Sequence, residues 1–180
     1  MHAGASIGIV QQWSQWQPVR WLTDGLPSVP SGEPPDNTRV PVALWRDGGL
    51  AAVLSLTFSP GSDAPLWQEI SVLRWVDGKW AEGFSGGSSW PVRQWDRPPR
   101  GPRLVALTGF SVASGHGSRP TIASGVASTA VHLVRVVTDD GSDESLVEPT
   151  TGAFLFACDS LSQVQLSAVD DAGAELRGTA

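Results

Sequence analysis

The stretch RVPVALWRDGGLAAVLSLTF, residues 39–58, decides the fold class. Every other position along its second half is apolar: Leu50, Ala52, Leu54, Leu56 and Phe58. Successive side chains of a β-strand point to opposite sides, so this alternation predicts a strand with one buried face. The preceding Asp47-Gly48 pair supplies the positive φ angles of a tight hairpin turn. We therefore predict an antiparallel hairpin in this stretch.

The same turn motif occurs twice in the chain. Trp45 and Trp75 each stand two residues before an Asp-Gly pair, which gives Trp-x-Asp-Gly at both places. Asp-Gly is typical of two-residue hairpin turns, so we interpret the repeat as turn chemistry and not as a ligand motif. The alternation and the turns together predict a four-stranded antiparallel meander, with strands at about 39–46, 50–58, 67–76 and 79–85.

Composition favours an all-β protein. The 180 residues include 20 Gly and 14 Pro, which interrupt the chain too often for long helices, and the hydrophobic share of 41% is enough for a buried core. Arg is frequent whereas Lys occurs only at Lys79, which indicates a high-GC bacterial genome. Because Cys158 is the single Cys, an internal disulfide and a thiolate metal cluster are excluded. We expect no cofactor.

Charge and Pro content divide the chain into unequal parts. Residues 1–103 contain nine basic and nine acidic side chains, whereas residues 104–180 contain three and nine, so the whole formal charge of −6 falls on the second part. We predict an N-terminal arm and Pro-rich linker (1–37), a Trp-rich antiparallel β meander (38–90), a Pro/Arg linker (91–103) and an acidic Ig-like β-sandwich (104–180). One larger antiparallel β assembly is the alternative.

Short alternating runs separated by turns fill the second part. They predict seven strands, at about 104–113, 120–126, 130–138, 144–148, 153–158, 162–169 and 174–177. These runs and turns include Gly125-Val126, Val131 to Val137, Asp140-Gly141, Gly152-Ala153-Phe154-Leu155, Val164-x-Leu166-x-Ala168-x-Asp170 and Gly173. On these residues, the range 120–178 resembles bacterial Ig-like and carboxypeptidase-regulatory-like β-sandwich domains. The resemblance implies a spacer or binding role without catalytic residues.

The Trp residues are the strongest functional signal. The chain contains nine, and Trp and Arg dominate the energetics of protein interfaces. The candidate binding residues lie in the arm and around the Pro/Arg linker: Trp13, Trp16, Trp21, Trp90, Arg93, Trp95, Arg97 and Arg100. We therefore predict a non-catalytic protein-interaction or structural module, part of a larger assembly, that binds a protein partner or associates with itself. The formal charge of −6 disfavours nucleic acid as its ligand.

Carbohydrate binding is an alternative function. Trp67 and Trp75 have the same parity on one predicted strand, so both indoles point to the same side of the sheet. Several exposed indoles on one sheet face form the platform that such a module needs. The alternation also fits a pair of core residues, so exposure of these indoles separates the two interpretations.

Catalytic and metal-binding residues have weaker signals. The sequence around Ser111, Gly-Phe-Ser-Val-Ala, approximates the nucleophile elbow of serine hydrolases. In that hypothesis His116 or His132 is the base and Asp139 orients it. The Gly-rich residues after Ser111 do not predict the helix that an elbow needs, so we assign no catalytic residue. The acidic loop 139–144 lacks EF-hand spacing, so we interpret it as a solvated turn and predict no metal site.

Localisation follows from missing signals. Residues 1–21 contain no signal-peptide core, and the chain contains no apolar stretch long enough to span a membrane. We expect a cytoplasmic protein or a component of an assembled particle. A secreted protein whose leader has been removed is the alternative.

Overall fold

The structure, a computed structural model, describes residues 18–59, 65–112, 120–139 and 141–177. The strands in these ranges are β1 (Arg39–Asp47), β2 (Leu50–Phe58), β3 (Leu66–Val76), β4 (Lys79–Ser89), β5 (Val105–Val112), β6 (Thr121–Ala127), β7 (Leu133–Thr138), β8 (Gly141–Leu146), β9 (Ala153–Cys158) and β10 (Gln165–Val169). They form three antiparallel sheets, which confirms the prediction of an all-β fold. The first sheet has the order β1-β2-β3-β4, the middle sheet β5-β6-β9 and the third sheet β10-β7-β8.

The two Trp-x-Asp-Gly repeats form hairpins whose turns differ by one residue. In the second hairpin Asp77 and Gly78 both have positive φ, at 50° and 78°, as the sequence predicts. In the first hairpin Asp47 pairs with Leu50, so the turn consists of residues 48–49 and begins one residue later than predicted. Gly48 takes the first position of this turn with a φ of 52°, a conformation that glycine adopts without steric cost.

The middle sheet lies between the other two. Alternate side chains of β9 point into two cores, with Ala153 and Leu155 in the first core and Phe154 and Phe156 in the second. The first core is completed by residues of the first sheet, including Leu54, Leu56, Ile70 and Val72. The second core is completed by residues of the third sheet, including Val134, Val136 and Ala168. The meander and the strands that follow it therefore share the first core.

A short helix covers the outer face of the first sheet, opposite the first core. Residues 18–24 are helical, where the sequence predicts an arm. Leu22 of this helix packs against Ala51, Val53 and Leu73. Both faces of β2 are consequently buried, and the prediction of a single buried face is wrong because the helix supplies a second apolar surface. Among the described residues, no helix is long and apolar enough to cross a membrane.

A buried amide connects the first and middle sheets. Gln68 of β3 is buried, and its Nε2 donates to the backbone oxygen of Thr108 on β5 at 2.7 Å and to Ser88 Oγ at 2.7 Å. Its Oε1 accepts from Thr108 Oγ1 at 2.9 Å and from Ser124 Oγ at 3.0 Å. Every polar atom of the Gln68 amide is thus paired, which removes the penalty for burying it between two sheets.

The third sheet differs from the prediction at its ends. β8 begins at Gly141, earlier than predicted, and the start of the predicted strand 162–169 is a 3₁₀ helix at Leu161–Gln163. The predicted strand 174–177 contributes one isolated bridge, between Glu175 and Val169. These segments are short, so small changes in pairing move their boundaries by several residues.

Candidate functional site

Two of the candidate binding residues lie in the interior. Trp90 and Trp95 are both buried in the first core. The Trp95 Nε1 donates a hydrogen bond to the backbone oxygen of Pro30 at 2.9 Å, which ties the Pro/Arg linker to the Pro-rich linker. The expectation that these two indoles face a partner is therefore corrected: they pack the two linkers onto the body of the protein.

Arg97 also points inward. Its Nη2 donates to the backbone oxygens of Ser128 and Val131, the former at 2.6 Å. Burial lowers the pKa of Arg97 from its ordinary value, and the nearby Glu148 carboxylate opposes that shift. Arg97 thus anchors the linker to the segment between β6 and β7. Of the three candidate Arg residues of the Pro/Arg linker, Arg93 and Arg100 are exposed.

The aromatic residues of the arm are only partly described. Trp21 belongs to the helix and is half-buried, and the Arg39 guanidinium lies 5.7 Å from the centre of its ring. Trp21 packs against the small core of Leu22, Ala51, Val53 and Leu73. The other two arm residues that the sequence singles out, Trp13 and Trp16, lie outside the described residues.

The outer face of the first sheet carries the exposed indoles. Trp67 and Trp75 of β3 are 47% and 51% exposed, and both point to the helix side of the sheet. Trp67 lies over Gly87 of β4, where an added Cβ would be 2.5 Å from the Trp67 Nε1. Trp75 packs edge-on against Trp80, with ring centres 5.3 Å apart. Arg46 lies 5.1 Å from the centre of the Trp80 ring.

A network of hydrogen-bonded polar side chains occupies the same face between Trp67 and Trp75. Arg39 donates from Nη2 to Glu69 Oε1 at 2.6 Å and from Nε to Ser55 Oγ at 2.7 Å. The same Nη2 donates to Ser71 Oγ at 3.0 Å. Ser71 Oγ lies 3.2 Å from Ser85 Oγ on β4. The network thus crosses the sheet from β1 to β4.

An open cleft separates the helix from the β3–β4 hairpin. We call it the outer cleft; its volume is about 1220 Å³, and its walls include Leu22, Thr23, Glu69, Trp75, Trp80 and Ser85. Indoles line one end of the outer cleft, and side chains of the polar network line the other end. Binding sites for small organic ligands have this mixture of aromatic surface and a few placed polar groups.

A second exposed surface lies on β5, and we call it the β5 stripe. Leu107, Phe110 and Val112 are 46%, 67% and 49% exposed. A β-bulge at Thr108 shifts the register of β5, so these three side chains share the face of the middle sheet that borders the second core. The stripe is not apparent from the sequence, because Leu107 and Phe110 differ in parity.

The hydrolase candidates are not assembled in the described residues. Ser111 lies within β5, is buried, and has an Oγ without a hydrogen-bond partner in the described structure. Ser111 is the second-last residue of β5 and pairs with Ile122 of β6, so it lies in the sheet, and residues 113–119 lie outside the described ranges. His132 is exposed, Asp139 accepts a hydrogen bond from Gln163 at 2.9 Å, and His116 lies outside the described residues.

Metal-ligand groups are likewise dispersed. No cluster of three or more His, Cys, Asp or Glu that could hold a metal occurs in the described ranges. Of the acidic loop, Asp140 lies outside those ranges, and Glu144 accepts from Arg135 Nη2 at 3.1 Å. Cys158 is buried at the end of β9, and burial together with the Asp159 carboxylate raises the pKa of its thiol.

Comparison of the chain with protein-family models, curated proteins and solved structures gives no match. The two exposed surfaces are therefore interpreted from their own chemistry.

Proposed function

We propose that the protein is a non-catalytic interaction module that associates with a second copy of itself through the β5 stripe. The observation that carries the proposal is Phe110, an aromatic side chain 67% exposed on a strand at the edge of a sheet. Leu107 and Val112 extend the same apolar surface. Contiguous exposed apolar surface on a sheet typically marks an interaction site.

The edge of β5 supports pairing with another strand. In the described part of the chain β5 pairs only with β6. Edge strands of monomeric proteins commonly carry charges, Pro residues or β-bulges that prevent further pairing. β5 reads VALTGFSV and contains no charge or Pro, and beyond its bulge at Thr108 the strand pairs regularly with β6 from Gly109 to Val112. Because this surface is uncharged, two copies that each carry a formal charge of −6 can approach here without placing acidic groups opposite each other.

The size of the stripe predicts a weak association. The exposed parts of its three side chains amount to roughly 300 Å² in each copy, whereas a stable interface buries about 800 Å² per partner. Main-chain hydrogen bonds between two β5 strands add to this contact. We therefore expect a dimer that forms and dissociates with concentration.

Replacing Phe110 with Lys tests the proposal. The substitution removes the largest apolar side chain of the β5 stripe, and the added charge disfavours pairing of two β5 strands. Phe110→Lys therefore stays monomeric at concentrations where the wild-type chain dimerises. The measurement is sedimentation equilibrium from micromolar to near-millimolar protein. Leu146→Lys is the matched control, because Leu146 is 69% exposed on β8, an edge strand of the third sheet. A wild-type chain that remains monomeric throughout, or a Phe110→Lys variant that dimerises normally, contradicts the proposal.

A further inference from the structure

We infer that the outer face of the first sheet is a second binding site, which takes a neutral polysaccharide chain. This face belongs to a different sheet from the β5 stripe, so the inference does not depend on the proposed self-association. The site comprises the outer cleft, the polar network and the indoles at either end, Trp67 and Trp75.

The spacing of the two indoles suits a chain of sugars. Trp67 and Trp75 stand eight residues apart on β3, a separation of about 26 Å along an extended strand. The C–H bonds on the face of a pyranose ring are weakly positive and pack favourably against the negative π face of an indole. Because the separation exceeds the size of a single sugar ring, the two indoles contact different units of one chain.

The sheet holds Trp67 in place as a platform. The indole occupies the space that a side chain at residue 87 would fill, and the Gln68 backbone oxygen also lies within 2.8 Å of the added Cβ position. Only glycine leaves room for the ring there. An indole that is already positioned loses little conformational freedom when a ligand binds, so more of the contact energy appears as affinity.

The polar network supplies hydrogen-bonding groups between the indoles. Sugar hydroxyls both donate and accept hydrogen bonds, and the network offers carboxylate oxygens from Glu69 and Glu82 together with the Ser85 hydroxyl. Glu69 is fixed by Arg39, and Glu82 accepts a hydrogen bond from Ser85. These contacts orient the groups before a ligand arrives.

The charges around the outer cleft are mixed, which favours an uncharged sugar chain over an acidic one. Arg39 and Glu69 neutralise each other at 2.6 Å. The remaining charged residues of the cleft and its adjoining turns are Arg46, Lys79, Asp47, Asp77 and Glu82. An anionic polysaccharide would need an excess of basic residues to offset the loss of its hydration, and this set has none.

Affinity electrophoresis and Trp fluorescence with a panel of polysaccharides test the inference. The panel contains neutral β-glucan, xylan, mannan and α-glucan, together with an alginate and a pectate as acidic polymers. We expect at least one neutral polymer to retard the wild-type protein and shift its Trp emission. Trp75→Ala weakens that binding roughly tenfold, which corresponds to about 1.4 kcal/mol, because it removes one of the two stacking surfaces. Trp75→Phe retains part of the binding because it keeps a ring.

Two controls make the result specific. Leu146→Ala removes exposed apolar surface from the third sheet and leaves binding unchanged. Thermal melting shows whether each variant is folded, and the exposed position of Trp75 predicts that its variants are. The inference is overturned if no neutral polymer binds, if only the acidic polymers bind, or if folded Trp75→Ala binds as the wild type does. None of these outcomes affects the sedimentation result.

Discussion

β5 and β9 belong to the same middle sheet, but they differ in how far the neighbouring sheets cover them. Both faces of β9 are buried, whereas β5 exposes three apolar side chains on the face that borders the second core. The other face of β5 meets the first sheet through the polar contacts of Gln68. β9 therefore contributes chiefly to stability, whereas β5 has apolar surface left for another molecule.

Truncating one Phe on β9 and one on β5 gives the largest expected difference in the free energy of unfolding. Phe154→Ala leaves a cavity beside Gly125, whose added Cβ would lie 2.1 Å from the Phe154 ring, and we expect it to cost about 3–5 kcal/mol. Phe110→Ala removes mainly exposed surface, and we expect it to cost less than about 1 kcal/mol. Urea unfolding measures both. Similar costs for the two variants would show that β5 is covered in the same way as β9.

Replacing Gln68 tests how β5 is held on its inner face. Gln68→Leu keeps the volume but leaves the Thr108 backbone oxygen and the Ser124 hydroxyl without the amide. We expect a loss of about 1–3 kcal/mol in the free energy of unfolding. Gln163→Leu is the matched control, because that exposed amide bonds to Asp139 at the surface and its loss has little effect. Equal melting of the two variants would mean that the buried amide contributes no net stability.

The smallest expected effect on the free energy of unfolding comes from the thiol of Cys158, at the end of β9. Burial raises the pKa of Cys158, so the folded protein keeps its proton at a pH where the unfolded chain releases it. The unfolded state is then favoured as pH rises above the ordinary thiol value of about 8.5, and stability falls modestly there. Cys158→Ala removes this decline in a series of urea titrations at rising pH. In the native protein iodoacetamide alkylates Cys158 slowly, and rapid alkylation at pH 8 would contradict its burial.

The strands of the first sheet were predictable because their alternation and turns are local properties of the sequence. Three of its four predicted strands match within a residue, and β4 extends beyond the predicted end at 85 to Ser89. The burial of Ala51 and Val53 was not predictable, since it depends on a helix about thirty residues earlier in the chain. Periodicity shows which side chains share a face but not what lies against that face.

In the candidate sites too, local sequence patterns predicted some features, whereas others depend on residues distant in the sequence. The shared parity of Trp67 and Trp75 placed two indoles on one face before their exposure was known. The burial of Trp90 and Trp95 depends on the first core, which joins residues distant in sequence. The β5 stripe could not be predicted from the alternation of side chains, because a bulge at Thr108 changes the parity within the strand. The network on the outer face had one available signal, because the polar residues Glu69 and Ser71 lie between Trp67 and Trp75 with the same parity.

The first core has a practical consequence for protein engineering. Cutting the chain at the Pro/Arg linker would expose one complete apolar face on each fragment, with Leu54 and Leu56 on one and Ile122 and Leu155 on the other. Each fragment would lack the sheet that covers its apolar face in the whole protein, and would tend to aggregate. The smallest piece suited to transfer into a fusion protein is accordingly the whole stack of three sheets together with its covering helix.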